Sequence, residues 1–301
     1  METPPDAIRH LFAGPQRPRA LWRVLIFLGV MFAAGAVVRA AFTALHVTIA
    51  DDWTPRSFMI VEGLTFATAL VATLVLAAVD RQPLARYGYA AHDGFALGAE
   101  GALWGFVSVA ALVGAIAVLG GYELRGFAVH GPALAARAAA WLAAMLLIGL
   151  AEEAWFRGAL LAALGDGLGF WPASILLSLG FGALHYFGKP MENLADAASV
   201  TLIGLFFCFT VRRTGSLWFA AGFHLAFDFA AMPLFGAPNT GNGGHPVSAP
   251  ILASAFRGAD WLTGGVRGVE ASLLVFVVIA ALYAAFAVRF RTTRFHTARD
   301  G

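Results

Sequence analysis

Charge is what this 301-residue sequence has least of. Asp, Glu, Lys and Arg make up 13% of it, against 59% hydrophobic residues. A soluble chain of this length needs roughly a quarter of its residues charged to keep its surface wetted, so a water-soluble fold is excluded. Lysine is nearly absent, and the net charge of +2 is too small to imply a nucleic-acid partner. The single cysteine, Cys208, excludes internal disulfides and cysteine-based metal clusters. Lying in an apolar run, it is expected to pack inside a helix. Internal repeats and polar stretches long enough for a soluble domain are missing too. So is any His-Glu-x-x-His helix, which would have been a strong zinc signal.

What is present is apolar runs. A helix needs about 20 such residues to cross a hydrocarbon core of about 30 Å. Eight runs qualify, at 22–45, 58–79, 96–119, 137–163, 171–187, 194–211, 216–235 and 267–288. They predict an all-α fold, a polytopic integral membrane bundle of about eight transmembrane helices. Glycine and alanine scattered through the runs allow helices to approach closely. The first run is too long for a signal-peptide core and no small-residue cleavage site follows it, so it is expected to be retained.

An even number of spans puts both ends of the chain on one side. That side holds Arg9, Arg17, Arg19, Arg23, Arg81, Arg86, Arg212, Arg213, Arg289, Arg291, Arg294 and Arg299. The other holds Arg56, Arg125, Arg137, Lys189, Arg257 and Arg267. Twelve against six predicts cytoplasmic ends in a multi-pass protein of the inner (plasma) membrane. Residues 1–20, with Pro4, Pro5, Pro15 and Pro18, read as a flexible cytoplasmic lead. Residues 21–290 form one transmembrane domain, and 291–301 a cytoplasmic tail. The one long loop, 236–266, carries turn signals at Pro238-Asn239 and Gly241 to Gly244. Its later part, 249–262, is read as a short interfacial helix anchored by Trp261.

Charges within a membrane cost about 2.5–3.5 kcal/mol each on insertion scales. Glu62, Glu100, Arg137 and Asp196 lie near helix ends, where side chains can snorkel to the interface. Arg39 sits deeper in the first span and suggests no role. The fourth span differs, with Glu152-Glu153-Ala154-Trp155-Phe156-Arg157. Glu153 and Arg157 are four apart and share a helix face, so they can pair. Glu152 is turned about 100° away and is left to face something else. The fifth span ends in Phe181-Gly182-Ala183-Leu184-His185, and the seventh contains His224 and Asp228, again four apart.

Depth gives an independent check at about 1.5 Å per residue. Glu152 lies about 20 Å along its helix from Gly165, and His185 about 21 Å from Trp171. Counted from Gly215, Asp228 is about 20 Å in and His224 about 14 Å. All four fall in one slab of the membrane. A carboxylate beside two imidazoles in a low-dielectric site can activate water for attack on an amide. The histidines can stabilise the oxyanion, orient the water or bind a metal. Glu152, His185 and His224 supply three zinc ligands if a metal is used, with Asp228 orienting His224 behind it. The spacing fits a metal-containing and a metal-free site equally.

At these residues the chain resembles the CPBP intramembrane proteases, also called the CAAX-protease and bacteriocin-processing (Abi) family. The family pattern is Glu-Glu-x-x-x-Arg, then Phe-x-x-x-His, then His-x-x-x-Asn or Asp. Here Glu152, Glu153 and Arg157 match the first part, Phe181 and His185 the second, His224 and Asp228 the third. The resemblance places a CPBP-like core at about 137–235. It implies a membrane-embedded endopeptidase, of metallo- or glutamate type, acting on a peptide or membrane-protein substrate. Glu152 would be the general base, Glu153 and Arg157 would shape the site, and His185 and His224 would activate water or hold a metal. Prenylated-protein processors of the family usually have asparagine where this chain has Asp228. That departure points toward the broad prokaryotic branch rather than to a CAAX substrate. Two other readings of the same residues are a non-catalytic immunity or scaffold protein and a proton-coupled transporter. The transporter reading predicts inverted halves, and the sequence has no such symmetry.

Overall fold

A computed structural model describes residues 19–50, 52–90 and 92–298. The expected N-terminal lead lies outside these apart from its last two residues, as does the end of the expected tail. Six helices are long and apolar enough to cross a membrane. They are α1 (Ala20–Ala44), α2 (Pro55–Asp80), α3 (Gly94–Val118), α4 (Pro132–Leu168), α5 (Phe170–Gly188) and α6 (Leu194–Thr214). Two shorter ones follow, α7 (Trp218–Phe229) and α8 (Leu274–Arg289). These eight fall on the eight predicted runs, and the protein is a multi-pass helical membrane bundle. Its outward faces stay apolar, as Leu25 and Phe32 on α1 and Ile175, Leu176 and Leu179 on α5 illustrate.

Local signals set the helix ends. Thr54 and Ser57 form a capping box with Pro55 in the first turn of α2, and Asn193 with Asp196 does the same for α6. Gly169, at φ 91°, makes the one-residue break between α4 and α5. Residues 230–234 continue α7 as a wide π turn. The last span starts at Leu274 rather than 267, because Gly264, Gly265 and Gly268 all take positive φ and hold the preceding stretch in short 3₁₀ turns.

Helix α7 is seated on α3 backbone to backbone. A methyl added at Gly101 would land on the Phe219 carbonyl, at Gly105 on that of Phe223, and at Gly222 on that of Gly98. On the other side, Gly149 of α4 leaves only 3.3 Å between its missing methyl and His224 Cβ. Small residues thus let two neighbours approach the helix that carries His224 and Asp228. Gly222→Ala is expected to force α3 and α7 apart and lower stability by about 1–3 kcal/mol. A thermal unfolding scan in detergent checks it, with an unchanged midpoint counting against the close packing.

One part of the fold departs from expectation. The stretch 249–262 is not an interfacial helix. Leu252–Phe256 forms a strand, β2, antiparallel to β1 (Tyr122–Phe127), with Tyr122 opposite Phe256 and Phe127 opposite Leu252. Pairing with a segment over a hundred positions earlier overrides the local pattern. Only Asp260–Thr263 makes a helical turn, beside an exposed Trp261.

The sheet and the loops 45–50, 52–54, 189–193 and 235–273 all lie on one side of the bundle, opposite the side that bears residues 19 and 298, the ends of the described chain. The end-bearing side is tied together by buried charges. Arg23 contacts Asp80 at 2.6 Å and Asp166 at 2.8 Å, and Arg86 contacts Asp166 at 2.6 Å. The Tyr87 hydroxyl donates to Asp80 at 2.8 Å, and burial, then the Asp80 carboxylate, push this phenol up to about 12. The last described residues fold under this side. Ala298 N–H donates to Asp166, Arg212 to the Phe295 carbonyl, and Phe295 is buried.

Candidate active site

The site is organised by a change of winding in α4. Its regular part ends at Glu153, and Ala154–Ala159 winds as a π turn with a kink at Gly158. Wide turns of this kind collect at functional positions. Across the turn, Arg157 Nη1 donates to Glu153 Oε1 at 3.2 Å, with both side chains almost wholly buried. The guanidinium centre also lies 4.4 Å from the ring centre of Phe181 and 5.5 Å from those of Phe156 and Phe207. Its Nε and Nη2 have no hydrogen-bond partner, so the three ring faces take their place. Gly204 leaves the room for this, since a methyl there would come within 2.6 Å of Nη2.

Glu153 holds a second group as well. His224 Nδ1 lies 3.0 Å from the same Oε1. A carboxylate held by a guanidinium only accepts, so Nδ1 carries a proton and Nε2 points the other way. There Nε2 is 3.5 Å from Asp228 Oδ2 and 3.7 Å from Glu152 Oε2. The ring stacks on Phe207, with centroids 5.4 Å apart. One imidazole is thus ringed by three carboxylates and fixed in orientation by a buried Arg–Glu pair.

Glu152 is the odd member, as its turn away from Glu153 predicts. It is only partly buried, and its Oε2 has no hydrogen-bond partner. It faces a cavity of about 240 Å³ that His185, His224 and Asp228 also line. His185 Nδ1 donates to the Phe181 carbonyl at 3.0 Å, leaving its Nε2 as an acceptor. Its ring makes no hydrogen bond to the His224 group. Glu152, Glu153, Arg157, His224 and Asp228 therefore form one contact network, and His185 shares the cavity with it. Apolar side chains, Ile148, Ile203, Phe207, Ile279 and Leu282 among them, make up the rest of the inner wall.

Five polar cavity residues, Glu62, Lys189, Ser199, Asn239 and Glu270, were not singled out by sequence as site members. Glu62 was read as snorkelling, but the first turns of α2 bring it onto the cavity wall. Lys189, the only lysine in the chain, follows His185 by four residues, just past the end of α5. Asn239 and Glu270 come from the long loop. Beside them, Glu192 accepts from the Thr240 hydroxyl at 2.6 Å, and burial pushes its carboxyl up. The spacing of Lys189 from His185 was the one signal available. Asp196 does not snorkel either: it is buried and paired with Arg267 at 3.1 Å. Glu100 pairs with Arg289 at 3.1 Å, and Arg137 donates to the Pro250 carbonyl.

The zinc set Glu152, His185 and His224 is not gathered at ligand distances. Among the described residues no group of three or more His, Cys, Asp or Glu stands ready to hold a metal ion.

No match to the chain was found among the curated proteins or among the solved structures. One family model does match, described as type II CAAX prenyl endopeptidase Rce1-like, over residues 134–230. That is 97 of 301 residues, and it spans Glu152, Glu153, Arg157, His185, His224 and Asp228. The resemblance carried by the three motifs thus stands: the stretch that contains them is similar to the Rce1-like CAAX proteases.

Proposed function

We propose that the protein is an intramembrane endopeptidase that hydrolyses a peptide bond of a peptide or membrane-protein substrate, with Glu152 as general base. The observation that carries this reading is the division of labour between adjacent glutamates. Glu153 is wholly buried and committed through Oε1 to both Arg157 and His224, whereas Glu152 makes no hydrogen bond and lines the cavity.

In this reading a water molecule lies between Glu152 and the substrate carbonyl, with the His185 Nε2 lone pair helping to orient it. Glu152 takes one proton as the water oxygen bonds to the carbonyl carbon. His224, protonated on both nitrogens among its three carboxylates, donates from Nε2 to the developing oxyanion, and Glu153 behind Nδ1 keeps the ring aimed. The tetrahedral intermediate collapses with cleavage of the C–N bond, and the proton held on Glu152 passes to the leaving amine. Asp228, 3.5 Å from Nε2, holds the imidazole from the side opposite Glu153. It acts as a positioning group, as an ionised acid accepts hydrogen bonds rather than donating them.

Purified protein in detergent against a quenched peptide library tests the reading. Wild type is expected to cleave, and His224→Ala to lose about 10²–10³ in kcat, the range for removal of one oxyanion donor. Cleavage that survives His224→Ala and His185→Ala together would remove this site from the reaction.

A further inference from the structure

Two hydrogen-bond donors on the cavity wall have no oxygen to donate to. Lys189 is the one permanent cation among the lining residues. Its place is fixed relative to the site, since its N–H donates to the His185 carbonyl at 3.0 Å and Pro190 holds it extended, at φ −111° and ψ 134°. The side chain is half-buried, and among the described residues it makes no ion pair. Glu192, three positions on, accepts from the Thr240 hydroxyl, and Glu270 lines the same cavity without pairing with the lysine. A lysine on an open surface leaves its ammonium to water, whereas one set among apolar side chains gains from a counter-ion.

The second donor is Asn239, which is 8% exposed. Its backbone is fixed by a bridge to His245, and its Oδ1 accepts from the Gly241 N–H at 2.9 Å. That leaves Nδ2 to donate, and its contact is the Met232 sulfur at 3.7 Å, a weak acceptor. A cation and an amide NH₂ on one wall match the two oxygens of a carboxylate. The acids Glu62, Glu152 and Asp228 stand on α2, α4 and α7, and repel a carboxylate from the rest of the cavity.

We infer that Lys189 and Asn239 form a carboxylate-binding subsite. In the protease reading, on which the identity of the ligand rests, the segment taken up by the cavity carries a carboxylate, on a side chain or at a chain end. That group docks on Lys189 and Asn239 while a neutral stretch of the same segment reaches Glu152. The two residues select and place the substrate and take no part in the bond-breaking steps.

One apolar fluorogenic peptide in three forms tests this: with a free C-terminal carboxylate, as its C-terminal amide, and as the amide with a single aspartate walked along the sequence. Wild type is expected to favour a carboxylate form over the plain amide by about tenfold or more in kcat/KM, through KM, the scale of a hydrogen bond to a charged group. Preference for the free acid identifies a chain end, and preference for one aspartate position a side chain. Lys189→Met is expected to bring the ratio to about one, and Lys189→Arg to restore most of it. Asn239→Asp keeps the acceptor for Gly241 and is expected to lower the ratio about fivefold, because it sets like charge against like. A ratio that Lys189→Met leaves unchanged, or a wild type indifferent to all three forms, would overturn the inference. Binding of the same peptides in detergent, read by fluorescence anisotropy, separates the two readings. Carboxylate-dependent binding that Lys189→Met abolishes, without cleavage by wild type, would remove the protease reading and leave the subsite standing.

Discussion

Glu152→Gln is expected to lower peptide turnover by about 10³-fold, within the range for loss of a general base and equal to about 4 kcal/mol of transition-state stabilisation. The folded protein is expected to survive the change. Glu152 is not the partner of Arg157, its Oε2 has no hydrogen bond to lose, and the amide has the shape of the acid. The effect should fall on kcat, with the unfolding midpoint in detergent unchanged. Parallel turnover and melting measurements on wild type and variant check both halves. If Glu152→Gln retained turnover within tenfold, the base would have to be another carboxylate of the cavity, and Glu62 on α2 would be the next to replace.

Arg157→Met is expected to cost about 3–5 kcal/mol of stability, the range for removing one partner of a buried ion pair. Glu153 is 0% exposed, and without the guanidinium its only remaining hydrogen-bond partner is His224. The three aromatic faces around Arg157 would lose their cation at the same time. Neutralising the carboxylate as well should offset much of this, so Glu153→Gln/Arg157→Met is expected to unfold closer to wild type than Arg157→Met alone. It should stay inactive, because His224 Nδ1 then lacks a charged acceptor to hold the ring. A double-mutant cycle on unfolding midpoints measures the coupling. Losses that simply add would show that the two groups are not a pair.

Much of this was legible because the membrane constrains a sequence severely. Eight apolar runs gave eight helices, since a chain in hydrocarbon must satisfy its backbone within each segment. The Glu153–Arg157 and His224–Asp228 contacts follow from four-residue spacing on a helix. That Glu152 and His224 would meet was foreshadowed only by their falling in one slab of the membrane. What stayed hidden depends on distant parts of the chain. The strand Leu252–Phe256 exists because Tyr122–Phe127 is there to pair with it. Gly204, which makes room for Arg157, reads in sequence as one more small residue among many. Glu62 was assigned to the interface because depth along a helix is visible in sequence and the direction of its face is not.

The charge contacts on the end-bearing side also constrain how the molecule is made. Arg23, in the first turn of α1, is 1% exposed, and its partners stand 57 and 143 positions later. As the chain emerges from the ribosome, α1 enters the bilayer before either carboxylate exists. Asp80 arrives with the end of α2, and Asp166 only with the end of α4. Glu152 to Arg157 precede Asp166 in the order of synthesis, and His185, His224 and Asp228 follow it. Both partners of Arg23 are thus made before those three residues, and the segment ending at Ala298, which also binds Asp166, is the last described part of the chain to be made.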